Sequence, residues 1–471
     1  MLHVSPLQPA IIPRSEHSIS RKWISPNALR VLYRLKDADK RAYLVGGGVR
    51  DLLLGREPKD FDIVTDATPG EIKKLFRNCR LIGRRFRLAH ILFHNEIIEV
   101  ATFRSNSTEE RAEEPAIKGE APTSQPGDRP VTIAPAEIRP KPPRMLKTAD
   151  GMILRDNIFG TPEEDALRRD FTVNALFYNI DDFSVIDYVG GLQDLRNGLI
   201  RIIGDPLVRF TEDPVRMVRA VRFAAMLGFE IEEKTYHTML ELKEKIALAS
   251  SARMYEEVLK LFTFGEAEKT YQMLRSMGLF GVIFPRLNDW VDTEADGFPH
   301  IWIGRALEWV DAGVQSGKPL PIHVLFALLY GQYVEEKSAE LRKCGAYALD
   351  ALTRTVSDLL SEQAQRVQIP KKIGLAMRDI YWNQSRFEKR EGKYPRYFVH
   401  RPGFSEAYEY LRFTGTVLKE KKGLSDWWEE FIKAHPPHAP AYEPRKQLEK
   451  STYKRRRSRT KGKSGQSRPK L

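Results

Sequence analysis

Apolar residues recur at helical spacing at Ala28, Leu29, Val31, Leu32 and Leu35. They predict a short helix over Asn27–Ala38, with Ser25 as N-cap and Pro26 in the first turn. The period then shortens. Ala42–Val45 reads as a strand, Gly46-Gly47-Gly48 as a turn, and Val49–Leu54 as a helix closed near Gly55. Phe61–Val64 is a second strand and Pro69–Arg77 a helix, while Leu88–Phe93 and Glu96–Phe103 are strands joined across His94-Asn95. Phe171–Asn179 is expected to be helical, and Val185–Tyr188 and Leu199–Ile203 to be strands. From Asp213 onward helical spacing takes over, through Val215–Leu227, Glu233–Ile246, Arg253–Phe264 and Ala267–Met277, and on to about Ala434. The fold class is therefore α+β, a small mixed-sheet head followed by all-helical regions.

Two stretches break the pattern. Residues 1–25 carry Arg14, Arg21 and Lys22 with little apolar periodicity and read as a disordered leader. Residues 105–150 hold eight prolines among Glu, Ala and Thr, and read as a solvated insertion in the head rather than a core element. The expected division is a head over 26–204, a helical neck over 205–265, a helical body over 266–435 and a basic, disordered tail over 436–471.

Charge sharpens the last assignment. The chain carries +13 in total, and residues 445–471 alone contribute twelve Lys/Arg against the single Glu449. The basic excess is thus largely a property of the tail, a polycation suited to phosphate backbones irrespective of sequence. No run approaches a membrane-spanning length, and no apolar secretory signal opens the chain. The two cysteines, Cys79 and Cys344, have no metal-like spacing and fit a reducing, cytoplasmic setting.

The sharpest chemical signal is Lys59-Asp60-Phe61-Asp62. On a strand, Asp60 and Asp62 project from one face. Two ionised carboxylates so close need a counter-charge, which a divalent cation supplies. Such a pair also occurs at exposed strand ends, so the neighbourhood matters. Glu99 lies amid apolar residues in the expected Glu96–Phe103 strand, and beside Phe61–Val64 it would add a third carboxylate. Asp60, Asp62 and Glu99 together would suit Mg²⁺ or Mn²⁺ and displacement at phosphorus. The second signal is Gly46-Gly47-Gly48-Val49-Arg50-Asp51, where glycines between strand and helix let backbone N–H groups approach phosphates. It lacks the features of a P-loop or a dinucleotide fingerprint.

Taken in order, the motifs cease to be generic. Gly46 through Asp51, Leu54-Gly55 and Asp60-x-Asp62 strongly resemble the class II tRNA nucleotidyltransferase and bacterial poly(A) polymerase family. Arg168-Arg169-Asp170-Phe171-Thr172-Val173-Asn174-Ala175-Leu176 is similar to its ribose-recognition motif, and Asp187, Gly190, Asp194 and Leu195 to its head–neck hinge. Glu212-Asp213-Pro214-Val215-Arg216, continuing to Phe223, resembles the base-recognition motif, and Ser251, Arg253, Glu256 and Glu257 a helix-stabilising one. The resemblance spans about residues 40–265. It implies a nucleotidyltransferase head with Asp60, Asp62, Asp170 and Glu99 as essential acids. It also implies nucleotide contacts from Gly46, Gly47, Arg50, Asp51, Arg169, Asn174, Asp213, Arg216, Arg219 and Arg222. Asp170 can accept from a ribose 2′-hydroxyl, with Asn174 one helical turn away on the same side. Asp213 and Arg216 can read a base edge, and Arg219 and Arg222 suit a triphosphate.

CCA-adding enzymes share all these motifs. Leu81 through His90, with Arg84, Arg85 and Arg87, looks like the poly(A) polymerase version, and the tail, with Lys454, Arg455, Arg456 and Arg457, suits single-stranded RNA. The expected activity is therefore template-independent addition of AMP from ATP to RNA 3′ ends, serving RNA processing and decay. CCA addition to tRNA is the first alternative, and an inactive RNA-binding protein on the same scaffold the second. The long insertion and a loosely matched C-terminal half depart from the family pattern. His323 and His400 are isolated, and Trp427-Trp428 is expected to pack a helix end.

Overall fold

The computed structural model describes residues 8–83, 88–105, 146–147, 153–155, 159–292 and 301–436. Arg84, Arg85 and Arg87, most of the 105–150 insertion, and the basic tail with Lys454, Arg455, Arg456 and Arg457 lie outside the described residues.

The first helix runs over Pro26–Asp37, where the Ser25 hydroxyl accepts from the N–H groups of Asn27 and Ala28. Its stripe of Ala28, Val31, Leu32 and Leu35 is buried against a mixed eight-stranded sheet. Across that sheet the strands run Ala10–Ile12, Val185–Asp187, Leu176–Asn179, Ala42–Val45, Asp62–Thr65, Ile97–Thr102, Leu88–Leu92 and Cys79–Ile82. All neighbours are antiparallel except Asp62–Thr65 and Ile97–Thr102, which pair in parallel with Asp62 opposite Glu99.

Three expectations need correction. The leader is not disordered throughout: Ala10–Ile12 pairs with the sheet edge, and Ile19 and Ile24 are buried in the head core. Three residues of edge pairing are too short to register as periodicity. Phe171–Asn179 is not a helix. Thr172–Asn174 forms one tight 3₁₀ turn, and Leu176–Asn179 is a central strand. A strand buried on both faces shows an unbroken apolar run, which periodicity cannot tell from a buried helix. Finally, the helix expected over Glu233–Ile246 ends at Leu242 and continues as a 3₁₀ segment over Lys243–Leu248.

Beyond the sheet, Pro206–Glu212, Val215–Leu227, Glu233–Leu242 and Ser251–Phe262 build a helical layer whose apolar faces share the head core. Glycine is required at the hinge: a Cβ on Gly191 would sit 2.2 Å from the Thr172 carbonyl oxygen. The C-terminal half packs around Ile322–Lys343, whose first half is buried all round. Trp302 Nε1 and the Tyr381 hydroxyl donate to the carbonyls of Leu328 and Ala327, at 2.7 and 2.8 Å. Phe404–Val417 and Lys419–Ala434 close the described chain over a separate aromatic cluster. There Trp428 is fully buried and donates to the Phe387 carbonyl at 2.8 Å, so it packs a helix end. Among the described residues no helix is long and apolar enough to cross a membrane.

Candidate active site

The Ala42–Val45 strand ends at Gly46, whose φ of +73° only glycine adopts without strain. The chain turns directly into a helix over Gly47–Leu53, two residues earlier than the sequence pattern suggests. Gly48 permits a close approach, since a Cβ there would lie 3.2 Å from the Asp60 carbonyl oxygen. The loop before the Asp62–Thr65 strand is thereby seated against the glycine turn, with Asp62 Oδ2 4.0 Å from the Cβ position of Gly46.

A cavity of about 930 Å³ opens over this junction. Its lining includes Gly46, Gly47, Arg50, Asp51, Asp60 and Asp62, together with Arg169, Asp170, Asn174, Asp213, Arg216, Arg219 and Arg222. The structure thus gathers residues scattered over the chain into one cleft. Glu99 does not line it. Although opposite Asp62 in register, its Oε1 lies 3.1 Å from His90 Nε2 on the next strand, without hydrogen-bond alignment. Among the described residues no group of three acidic, histidine or cysteine side chains is placed to hold a metal ion. Of the expected triad, Asp60 and Asp62 line the cleft, while Glu99 stands on the neighbouring strand, opposite Asp62 in register and beside His90.

Asp60 and Asp62 accept no hydrogen bond and join no ion pair among the described residues. Solvent reaches Asp62 through the cleft mouth, yet the walls strip enough of it to push the carboxyl up to about 6. Glu99 adds like charge, Arg169 partly offsets it, and Asp60 adds more. This is an acid pair short of positive charge at close range. Two free carboxylates are the protein share of a Mg²⁺ site, because that ion keeps waters and takes its remaining ligands from substrate phosphates. The donor set fits.

A connected network lines the same cavity. Arg50 is buried and donates to Asp51 Oδ1 at 2.7 and 2.9 Å and to Asn174 Oδ1 at 2.6 Å. Asn174 Nδ2 donates to Asp170 Oδ1 at 3.3 Å, so the expected proximity holds through a 3₁₀ turn rather than an α-helix. Asp170 also accepts from the Phe171 N–H at 2.8 Å, and its Oδ2 takes two donors from Arg219. Arg219 extends to Glu257 Oε1 at 3.2 Å, and Arg222 Nε lies 3.3 Å from Glu257 Oε2. Burial alone would raise the Asp170 carboxyl, but the Arg219 guanidinium and the hydrogen bonds hold it down at about 2. Burial likewise opposes charge on Arg219, and Asp170 and Glu257 more than reverse that.

Asp213 and Arg216 do not share a helix. Asp213 caps Pro206–Glu212 in extended backbone, while Arg216 opens the next helix. Arg253 grips both Asp213 oxygens, at 2.9 and 2.8 Å, and Arg216 donates to the Arg209 carbonyl at 2.8 Å. Sequence reasoning left three supporting residues out of the site. Arg253 and Glu257 are one turn apart on Ser251–Phe262, a spacing that could have flagged a shared face. Arg209 gave no signal. It is buried and donates to the carbonyls of Arg168 and Arg169, both at 2.6 Å, and burial followed by the Arg216 charge lowers it to about 10.

Residues 42–201 match the family described as "Poly A polymerase head domain", 228–291 "Probable RNA and SrmB- binding site of polymerase A", and 344–463 "Polymerase A arginine-rich C-terminus". Poly(A) polymerase I of Salmonella typhi is 43% identical over 430 residues, covering 91% of this chain and 86% of that protein. The CCA-adding enzyme of Bacillus pumilus is 33% identical over 284 residues, covering 59% of this chain and 61% of that one. The Bacillus stearothermophilus CCA-adding enzyme in complex with CTP superposes with a TM-score of 0.56 at 21% identity, over 87% of this chain and 83% of that chain, a likeness of fold. The full-length match to the first, against the partial match to the second, shows that the chain belongs to the bacterial poly(A) polymerase family.

Proposed function

We propose that this poly(A) polymerase draws its adenylates from ATP in the cleft between Asp60, Asp62 and the arginine row, extending RNA 3′ ends with release of pyrophosphate. The observation that carries the reading is one cavity lined by two carboxylates that join no ion pair among the described residues and by four arginines, Arg50, Arg169, Arg219 and Arg222. Asp60 and Asp62 would hold Mg²⁺ or Mn²⁺. When bound, the metal supplies the charge that activates the attacking 3′-hydroxyl and stabilises the departing pyrophosphate.

The chain's own residues do the positioning. Arg219 and Arg222 are locked toward the cleft by Asp170 and Glu257, so their remaining donors meet a triphosphate with little reorganisation. With both oxygens already engaged, Asp170 acts first as the positioning residue of Arg219, and a ribose hydroxyl would share its lone pairs. Asp213 is held by Arg253, and with Arg216 it is aimed at the base edge. The partition into a head over 26–204, a neck over 205–265, a body over 266–435 and a tail over 436–471 follows from these roles. Arg84, Arg85 and Arg87 and the Lys454–Arg457 cluster would hold the RNA. Two free cysteines, Cys79 and Cys344, are compatible with a cytoplasmic site among the RNA-decay machinery.

The test is a panel in which unstructured RNA and a tRNA lacking its 3′ end are each incubated with ATP, CTP, GTP or UTP. Long tracts from ATP alone on both substrates support the proposal. Addition that stops at three residues, on tRNA only, with CTP required, replaces it with CCA addition.

A further inference from the structure

Away from the cleft, the N-terminal segment and the Asn179–Ser184 turn border a second, open cavity of about 590 Å³. Its lining includes Arg14, Arg21, Lys22, Tyr33, Tyr178 and Phe183, and no acid. It lies at the far end of the Leu176–Asn179 strand from the active site. Leu176 is the residue that bonds Gly46, whereas Asn179 closes the turn with Ser184.

Three features mark it as built rather than incidental. None of the three cations has a carboxylate partner among the described residues. Arg14 donates only to the His17 carbonyl and Arg21 only to the Tyr33 hydroxyl, at 3.0 and 2.8 Å. The nearby acids are turned elsewhere: Asp181 pairs with Lys36 at 2.9 Å, and Asp182 accepts from Ser184 at 2.7 and 3.0 Å. Phe183, on the wall, holds a φ of +63°, a strained left-handed backbone for an aromatic residue. It is kept there by the segment that brings the cations. His17 Nε2 lies 2.8 Å from the Phe183 carbonyl oxygen, and the Arg21 guanidinium sits 4.6 Å over its ring.

We infer that this cavity is a nucleotide subsite outside the catalytic cleft: Arg14, Arg21 and Lys22 take a phosphate, and the Tyr33 ring and the Arg21 guanidinium held over Phe183 offer planar faces to its base. Unpaired guanidinium and ammonium groups select phosphate, and aromatic faces accept any base. The occupant is an internal nucleotide of the bound RNA, and a free mononucleotide carries the same chemistry. The choice of RNA rests on the polyadenylation reading, but binding is measured without turnover, so the two can fail separately.

The experiment uses the full chain and its Arg14→Ala/Arg21→Ala/Lys22→Ala variant. Fluorescein-labelled oligo(A) binding is followed by anisotropy across a salt series, and AMP binding by equilibrium dialysis. Loss of the three cations that together neutralise one phosphate lowers the salt-dependence slope by about 0.7 on single strands and weakens oligo(A) binding roughly fourfold at 150 mM salt. Lys22→Glu, whose side chain makes no contact that the fold needs, gives a smaller loss in the same direction. A loss confined to AMP stoichiometry, from two sites to one, assigns the site to free nucleotide. Unchanged oligo(A) slope and unchanged AMP stoichiometry in both variants overturn the inference.

Discussion

Replacing Arg219 with alanine removes the cation shared by two largely buried carboxylates, Asp170 and Glu257. Asp170 is held at about 2 against an ordinary value of 3.8, a depression worth on the order of 2 kcal/mol. Because the folded-state pKa is depressed, this stabilisation is fully present above pH ~4 and is lost as pH falls toward 2. The substitution also leaves the Asp170 carboxylate without its counter-ion, while Glu257 keeps Arg222 and Lys260, and breaking a buried pair costs about 3–5 kcal/mol. Urea denaturation followed by tryptophan fluorescence should therefore show Arg219→Ala destabilised by about 3–5 kcal/mol at pH 7, with the penalty smaller by about 1 kcal/mol or more at pH 3. Arg219→Lys should recover only part of the loss, because an ammonium lacks the planar fork that bridges both acids. A penalty below about 1 kcal/mol at pH 7, or one that does not change with pH, would refute the picture of a coupled network.

Further outcomes follow from the same geometry. Asp60→Asn and Asp62→Asn should each lower AMP incorporation by about 10³-fold or more while leaving oligo(A) affinity within about twofold, measured by primer extension and anisotropy. The Asp62 carboxyl is raised to about 6, so its anionic form is lost as pH drops below that value. Incorporation at limiting Mg²⁺ should then fall about tenfold per pH unit below 6, and a rate flat from pH 7 to 5 would contradict the assignment. Arg253→Ala releases both oxygens of Asp213. The pair is partly exposed, so stability should change by under about 1 kcal/mol, while competition between ATP and CTP should show reduced preference for ATP. Gly191→Ala forces a Cβ to 2.2 Å from the Thr172 oxygen and should cost roughly 3 kcal/mol in the same urea assay.

Much of the site was legible because its chemistry is local in sequence. The Asp60-x-Asp62 spacing, the three glycines and the arginine row at helical steps each carry their meaning within a few residues. An acid inside an apolar strand drew attention to Glu99, and its strand does pair beside Asp62, though the parallel register was not legible. What stayed hidden depends on partners distant in sequence. Nothing within Glu96–Phe103 announces that Glu99 will sit beside His90, or that Arg253 will grip Asp213 from 40 residues away. The Leu176–Asn179 strand was misassigned because burial on both faces erases the alternation that marks a strand. The leader looked featureless because its order derives from three paired residues and two buried isoleucines rather than from any repeat.

The central claim is that Asp60 and Asp62 form the cation site of the cleft and that Glu99 does not belong to it. Crystals soaked with Mn²⁺ and a non-hydrolysable ATP analogue, with data collected at the manganese edge, test this directly. The account predicts anomalous density against the Asp60 and Asp62 carboxylates and the triphosphate, with Glu99 still beside His90. Density bound to Glu99 but not to Asp60, or no manganese at either aspartate, would contradict it.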